Sequence, residues 1–218
     1  MKKLLFTLLF TSTLVACQSA PAPIARPAQP QIQRQSAPQS VAQKLFPEVL
    51  GHSWEYDVKK SPVNDPDVSY PGNYSLSIDK VKPGGGIELR AFNSFEGRYT
   101  FPTLVQTPSQ VTLQDATFLG TGSEKVPGLS IDFIKTPLKV GSKWEDPNWI
   151  GKVKSLDTVQ VPAGTFKAWR IEVIGTFERR YTAVGNYWFV PGKGMVKSDL
   201  TTPGWHVSSV LTYTGPKR

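Results

Sequence analysis

From about residue 50 onward, alternation between apolar and polar residues is visible where the chain runs free of glycine and proline. Trp54, Tyr56 and Val58 are separated by Glu55 and Asp57, and Tyr74, Leu76 and Ile78 by Ser75 and Ser77, with Asp79 next. Ile87, Leu89 and Ala91 alternate with Glu88 and Arg90; Trp169, Ile171 and Val173 alternate with Arg170 and Glu172. Val207, Ser209, Leu211 and Tyr213 form a last run of the same period. A period of two places one side of each segment in a core and the other in water. That is the mark of antiparallel strands, not of parallel strands covered by helices. Three clusters, Lys82-Pro83-Gly84-Gly85-Gly86, Val161-Pro162-Ala163-Gly164-Thr165 and Val190-Pro191-Gly192-Lys193-Gly194, are predicted to be strand-joining turns. Proline presets φ in such a turn and glycine accepts a positive φ.

Helix has little room. Gly (18) and Pro (19) make up about one residue in six, and after residue 20 the longest stretch free of both is Ser109–Leu119. One average helix fits such a stretch and a bundle does not. The helix predicted near the domain start is Ser40–Phe46, stopped by Pro47. Residues 44–218 are therefore expected to form one all-β domain, a single antiparallel, strongly curved sheet or open half-barrel. An internal echo divides it into two related halves. Pro47, Gly51, Trp54 and Glu55 recur as Pro137, Gly141, Trp144 and Glu145, the shared pattern P-x-x-x-G-x-x-W-E. Pro and Gly would turn the chain, and Trp would pin the new strand to the core.

The N-terminal segment supplies an address. Met1-Lys2-Lys3 is basic, and Leu4–Val15 is an apolar run too short for a bilayer, which needs about 20 residues. It has the length of the hydrophobic segment of a secretory signal. Leu14-Val15-Ala16-Cys17 then resembles the lipobox of bacterial lipoproteins: an aliphatic residue, a tolerant position, a small residue and the cysteine. The resemblance implies removal of residues 1–16 and acylation of Cys17, the one cysteine in the chain. Two or three acyl chains make a lasting anchor where one does not. Gln18, in place of an aspartate, favours the outer membrane over the inner by the same resemblance. Residues 17–43 then carry five prolines and seven glutamines with no acid and no aromatic residue. Such a composition cannot offset its ordering entropy, so a mobile spacer of roughly 80 Å is expected.

Four further segments strengthen the lipoprotein reading. They are Leu50–Tyr56, Pro137–Trp144, Val161–Phe166 and Tyr187–Lys197. In this order they resemble the recurrent pattern of uncharacterised bacterial envelope lipoproteins. Those are similar in turn to the curved antiparallel sheets of the lipoprotein-carrier and lipoprotein-receptor class, which take acyl chains on the concave face. The resemblance supplies no catalytic residue.

Charge and chemistry narrow the function by exclusion. The chain is +8, but from residue 48 onward it has 20 basic and 17 acidic residues, interspersed. No basic stripe of the kind that tracks nucleic acid is present. One cysteine excludes a disulfide framework and a cysteine-based zinc site. There is no G-x-S-x-G elbow and no P-loop; Gly120–Lys125 lacks the spacing. His52 with Glu55 and Asp57 would point to different faces of a strand. Asn64-Asp65-Pro66-Asp67 and Glu145-Asp146-Pro147-Asn148 lack the glycine and terminal glutamate of a calcium loop. His206 reads as a polar residue at a strand edge. The expectation is a non-enzymatic, lipid-anchored envelope protein with no cofactor and no metal. Its partners would be the membrane through its lipid, and a lipid or an envelope protein. Its candidate ligand site is an apolar face made by Trp54, Tyr56, Tyr74 and Trp169 for an acyl chain. The alternative is a structural or interaction module without a small-molecule ligand.

Overall fold

A computed structural model describes residues 44–83, 85–115, 128–177 and 181–217. The predicted signal, Cys17 and the spacer lie outside the described residues, as do Gly120–Lys125. The described residues form thirteen strands: β1 (His52–Pro62), β2 (Tyr70–Lys82), β3 (Gly86–Asn93), β4 (Arg98–Thr100), β5 (Thr103–Gln106), β6 (Gln110–Gln114), β7 (Ser130–Lys135), β8 (Lys143–Asp146), β9 (Trp149–Val161), β10 (Gly164–Phe177), β11 (Tyr181–Val190), β12 (Gly194–Thr202) and β13 (Trp205–Pro216); the five alternating segments lie in β1, β2, β3, β10 and β13. All three Pro/Gly clusters are turns between consecutive strands, β2–β3, β9–β10 and β11–β12. At the second, Gly164 takes φ +134°, where a β-carbon would be strained.

The predicted helix is a correction. Of Ser40–Phe46, residues 44–46 are described, and they are not helical. Leu45 and Phe46 are instead closed into the core at 2% and 1% exposure. Backbone bonds from Gly192 and Gly194 N–H to the Lys44 and Leu45 carbonyls tie them across the barrel's end (both 2.8 Å). Two buried apolar side chains with cross-chain partners outweigh the weak propensity of a seven-residue helix.

The sheet runs β7-β6-β5-β3-β2-β1-β13-β12-β11-β10-β9-β8, with β4 pairing β3 off this path, and every pairing is antiparallel. Five register shifts interrupt the ladders, at Glu55/Tyr56, Ile78/Lys80, Val111/Thr112, Arg170/Ile171 and Trp188/Phe189. Bulges of this kind bend a strand and increase its twist, which carries an open sheet toward closure. The expected curved sheet is thus nearly a closed barrel, with one seam where β7 meets β8 and β9.

Side chains join that seam in place of a backbone ladder. The Trp144 indole donates to the Asp132 carbonyl and the Trp149 indole to the Phe133 carbonyl, each at 3.0 Å. The Asp132 N–H donates to Asp146 Oδ2 at 2.9 Å. Gly151 makes room, because a β-carbon there would stand 2.3 Å from Trp144 Cζ2. The internal echo is structural as well. Gly51 N–H bonds to Ile78 O and His52 N–H to Val49 O; Gly141 N–H bonds to Val153 O and Ser142 N–H to Lys139 O. Both glycines have positive φ, +76° and +89°.

Direction along the barrel follows from strand order. β1 and β8 start at the same end, called the base here, which also holds Leu45 and Phe46 and the β2–β3 and β11–β12 turns. The β1–β2 and β12–β13 connections lie at the far end.

Candidate functional site

The face predicted to take an acyl chain forms the barrel core. Trp54, Tyr56 and Tyr74 are 0%, 1% and 2% exposed. The Trp54 indole donates to the Lys193 carbonyl and its ring meets Phe46 edge-on at 6.2 Å. The Tyr56 hydroxyl donates to the Met195 carbonyl, and its ring lies 6.1 Å from that of Tyr74. Burial, and then the neighbouring Tyr74, push the Tyr56 phenol well above its ordinary range. Trp169 is half-buried, packed against the core where β10 leaves β11. Phe133, Trp149, Tyr187 and Phe189 fill the middle with centroid separations of 5.2–6.3 Å. Closure of the sheet has turned a concave face into an interior packed with protein.

The remaining sequence candidates do not come together as a site. His52 Nε2 is 2.9 Å from Thr214 Oγ1 and its ring lies over Trp54. Burial, and then the Lys193 ammonium, hold its imidazole below the usual range. Glu55 and Asp57 are exposed on the opposite face of β1. Asp65 forms turns with Pro62 and Val68. Asp146 accepts from Asn148 N–H as well as from Asp132 N–H. Among the described residues no three His, Cys, Asp or Glu side chains converge as metal ligands would.

A groove missed by sequence reasoning lies at the far end, on the outside. It has a volume of about 400 Å³. Lys59, Ser61 and Pro62 of β1, Val63 and Pro66 of the following loop, Thr201 of β12, and His206 and Ser208 of β13 line it. The pairing explains the gathering: Lys59 stands opposite Ser208, Ser61 opposite His206, and Thr201 opposite His206 on the other side. His206 Nε2 lies 3.1 Å from Asp199 Oδ1 and Nδ1 lies 3.3 Å from Thr201 Oγ1. The partners of the two ring nitrogens are thus a carboxylate and the Thr201 hydroxyl, not Ser61 or Ser208. At the same strand ends, Lys60 Nζ sits 4.2 Å from the Trp205 ring centroid and 5.7 Å from that of Phe95. Tyr70 meets Trp205 edge-on at 6.1 Å. Alternation puts His206 and Ser208 on the outer phase of their strand. Nothing in the sequence says that the first and last strands pair, which is what assembles the groove.

The described residues therefore form an all-β, nearly closed antiparallel barrel with a packed core and an external groove of mixed polar and apolar lining. Comparison with family models and with curated proteins finds no match. Among solved structures the chain is similar to a protein from Bacteroides fragilis described as exported and of YmcC-like fold. The TM-score is 0.52 at 12% identity, over 79% of this chain and 99% of that one. At that identity the likeness shows the fold alone.

Proposed function

We propose that the chain is a lipid-anchored, non-catalytic module of the bacterial cell envelope that binds an envelope protein through the far-end groove. The packed interior carries this reading. With Trp54, Tyr56 and Tyr74 sealed among protein side chains, an acyl chain would have to displace core residues, whereas the groove is open. Its lining of one ammonium, one imidazole, three hydroxyls and three small apolar side chains suits a mixed polar and apolar protein surface. Trp205 and Tyr70, beside Lys60, add the aromatic residue types that anchor interfaces. The envelope location, on the outer membrane rather than the inner, rests on Leu14–Gln18. The exported assignment of the Bacteroides fragilis neighbour supports the compartment.

The test is a photo-crosslinking residue at Thr201 or Ser208 in the native host, with Gln160 as a distant control. A discrete protein adduct at both groove positions and none at Gln160 is expected. A fluorescent fatty acid titrated into the protein should show no saturable binding. Saturable micromolar binding, lost on Trp169→Glu with the fold intact, would overturn the reading in favour of an acyl-chain carrier.

A further inference from the structure

The far end of the barrel exposes Tyr70 together with the less exposed Val63 and Val68, and the base differs from it. Its exposed apolar side chains are aliphatic, and two of them sit on the repeated turns: Leu50 is 67% and Val140 is 56% exposed. They occupy equivalent places in the echo, one residue before the positive-φ glycines Gly51 and Gly141. β1 and β8 are half a barrel apart in the strand order, so the tips stand on opposite sides of one end. Val49, at 61%, adjoins the first tip. Evenly placed aliphatic tips at one end do not serve the core.

Lysines surround them. Lys139 precedes Val140, Lys217 N–H bonds to Gly51 O beside Leu50, and Lys193 caps the β11–β12 turn. None of these three forms an ion pair with a described carboxylate, whereas Glu48 and Glu88 at this end already face Lys44, Lys80 and Lys82. Protruding aliphatic residues ringed by lysine are what an anionic bilayer surface attracts. The chains enter the headgroup boundary, and each ammonium brought to the surface contributes about a fivefold gain in partitioning. The base is also where the described chain begins, at Lys44, with 27 residues between it and the end of the predicted signal.

We infer that the base of the barrel is a membrane-docking surface that seats Leu50 and Val140 in the headgroup layer of an anionic bilayer. It rests on the anchor proposed above for its proximity to lipid. The far-end groove is then held facing away from the membrane.

The experiment uses the full lipidated chain in vesicles, where Cys17 has no free thiol. A polarity-sensitive thiol probe is placed at Leu50→Cys, Val140→Cys or, at the far end, Val63→Cys. With phosphatidylglycerol at about a third of the lipid, emission at positions 50 and 140 should rise several-fold and shift to the blue, while position 63 stays as in buffer. Lys139→Glu with Lys217→Glu, or lipid without phosphatidylglycerol, should cut the response at least tenfold in partitioning. Equal signals at 50 and 63, no signal at 50 and 140, or indifference to lipid charge would overturn the inference. So would a response that needs added envelope protein. Two probes per chain by mass would mean a free Cys17, which defeats the anchor reading alone. The Cys17→Ser chain added to the same vesicles then tests docking with the same expected outcomes.

Discussion

Replacing Trp144 or Trp149 by phenylalanine removes one N–H from the seam and leaves the ring largely in place. In each case a β7 carbonyl, that of Asp132 or Phe133, loses its donor. Trp144 is 6% and Trp149 1% exposed, so water does not easily replace the bond. Leaving a buried acceptor unsatisfied costs about 1–3 kcal/mol, and shrinking indole to phenyl in a packed core adds roughly 1 kcal/mol. Each variant should therefore lose about 2–4 kcal/mol, a large share of the roughly 5–15 kcal/mol typical of a domain. The two sites share one strand, so the double variant should lose less than the sum. Urea unfolding measures the totals, and amide exchange locates them. Protection should fall in β7 and β6 while β1 and β13, paired along the whole length of β1, keep theirs. Losses below about 0.5 kcal/mol, or faster exchange spread evenly around the barrel, would refute the idea that these indoles close the seam.

Gly151→Ala should act on the same joint from the other side, because the new methyl would meet the Trp144 ring; a loss of about 1–3 kcal/mol in urea unfolding is expected. Gln106 accepts from Phe46 N–H and donates to Phe46 O, both at 2.9 Å. Gln106→Leu should cost about 2–4 kcal/mol and open the chain near Phe46 to limited proteolysis. Tyr56 has its phenol pKa raised by burial and by Tyr74. Its contribution is present below the unfolded value of about 10 and is lost as pH rises above it, so the urea midpoint should fall in alkali, and less steeply in Tyr56→Phe. Cys17→Ser should leave the membrane fraction for the soluble one, or stay unprocessed, on fractionation of the native host.

Period-two alternation located β1, β2, β3, β10 and β13, because burying one face of a ribbon imposes that period directly; the short strands β4 to β8 and the apolar run Tyr187–Val190 of β11 carry too little of it to be read. It fails at bulges, where one extra residue flips the phase. Tyr213 reads as a continuation of Val207, Ser209 and Leu211. The shift at Glu55/Tyr56 leaves it opposite the exposed Glu55, while Leu211 stays opposite the buried Tyr56. Nor can alternation tell a half-open sheet from a nearly closed one. Trp54, Tyr56 and Tyr74 carry the same inward phase in both cases, and only the approach of β7 to β8 and β9 decides whether that side holds protein or a ligand. The groove was illegible for a related reason. Lys59 and Ser208 are far apart in sequence and meet through the pairing of the first and last strands, a non-local choice that no residue at either position encodes.

The repeat explains why the barrel has one weak joint and why the groove sits away from it. If the halves were equivalent throughout, β7 would pair β8 as β13 pairs β1. The Pro-Gly turn and the anchoring tryptophan are indeed reproduced at both starts. The strands that follow are not: β13 and β1 have 12 and 11 residues, β7 and β8 only 6 and 4. A four-residue strand can form few ladder bonds, and an unsatisfied edge is costly, so two indoles and a carboxylate take over the task. The β13–β1 junction lies diametrically across the strand order from this seam. Lys59, Ser61, His206 and Ser208 stand on that junction, paired one to one across its ladder. Local opening of β7 can therefore proceed without disturbing the groove. The groove lies beyond the Glu55/Tyr56 bulge, where Asp57–Pro62 pair Val210–Trp205 without a break, and a surface built on such a stretch keeps its shape and loses less entropy when a partner docks.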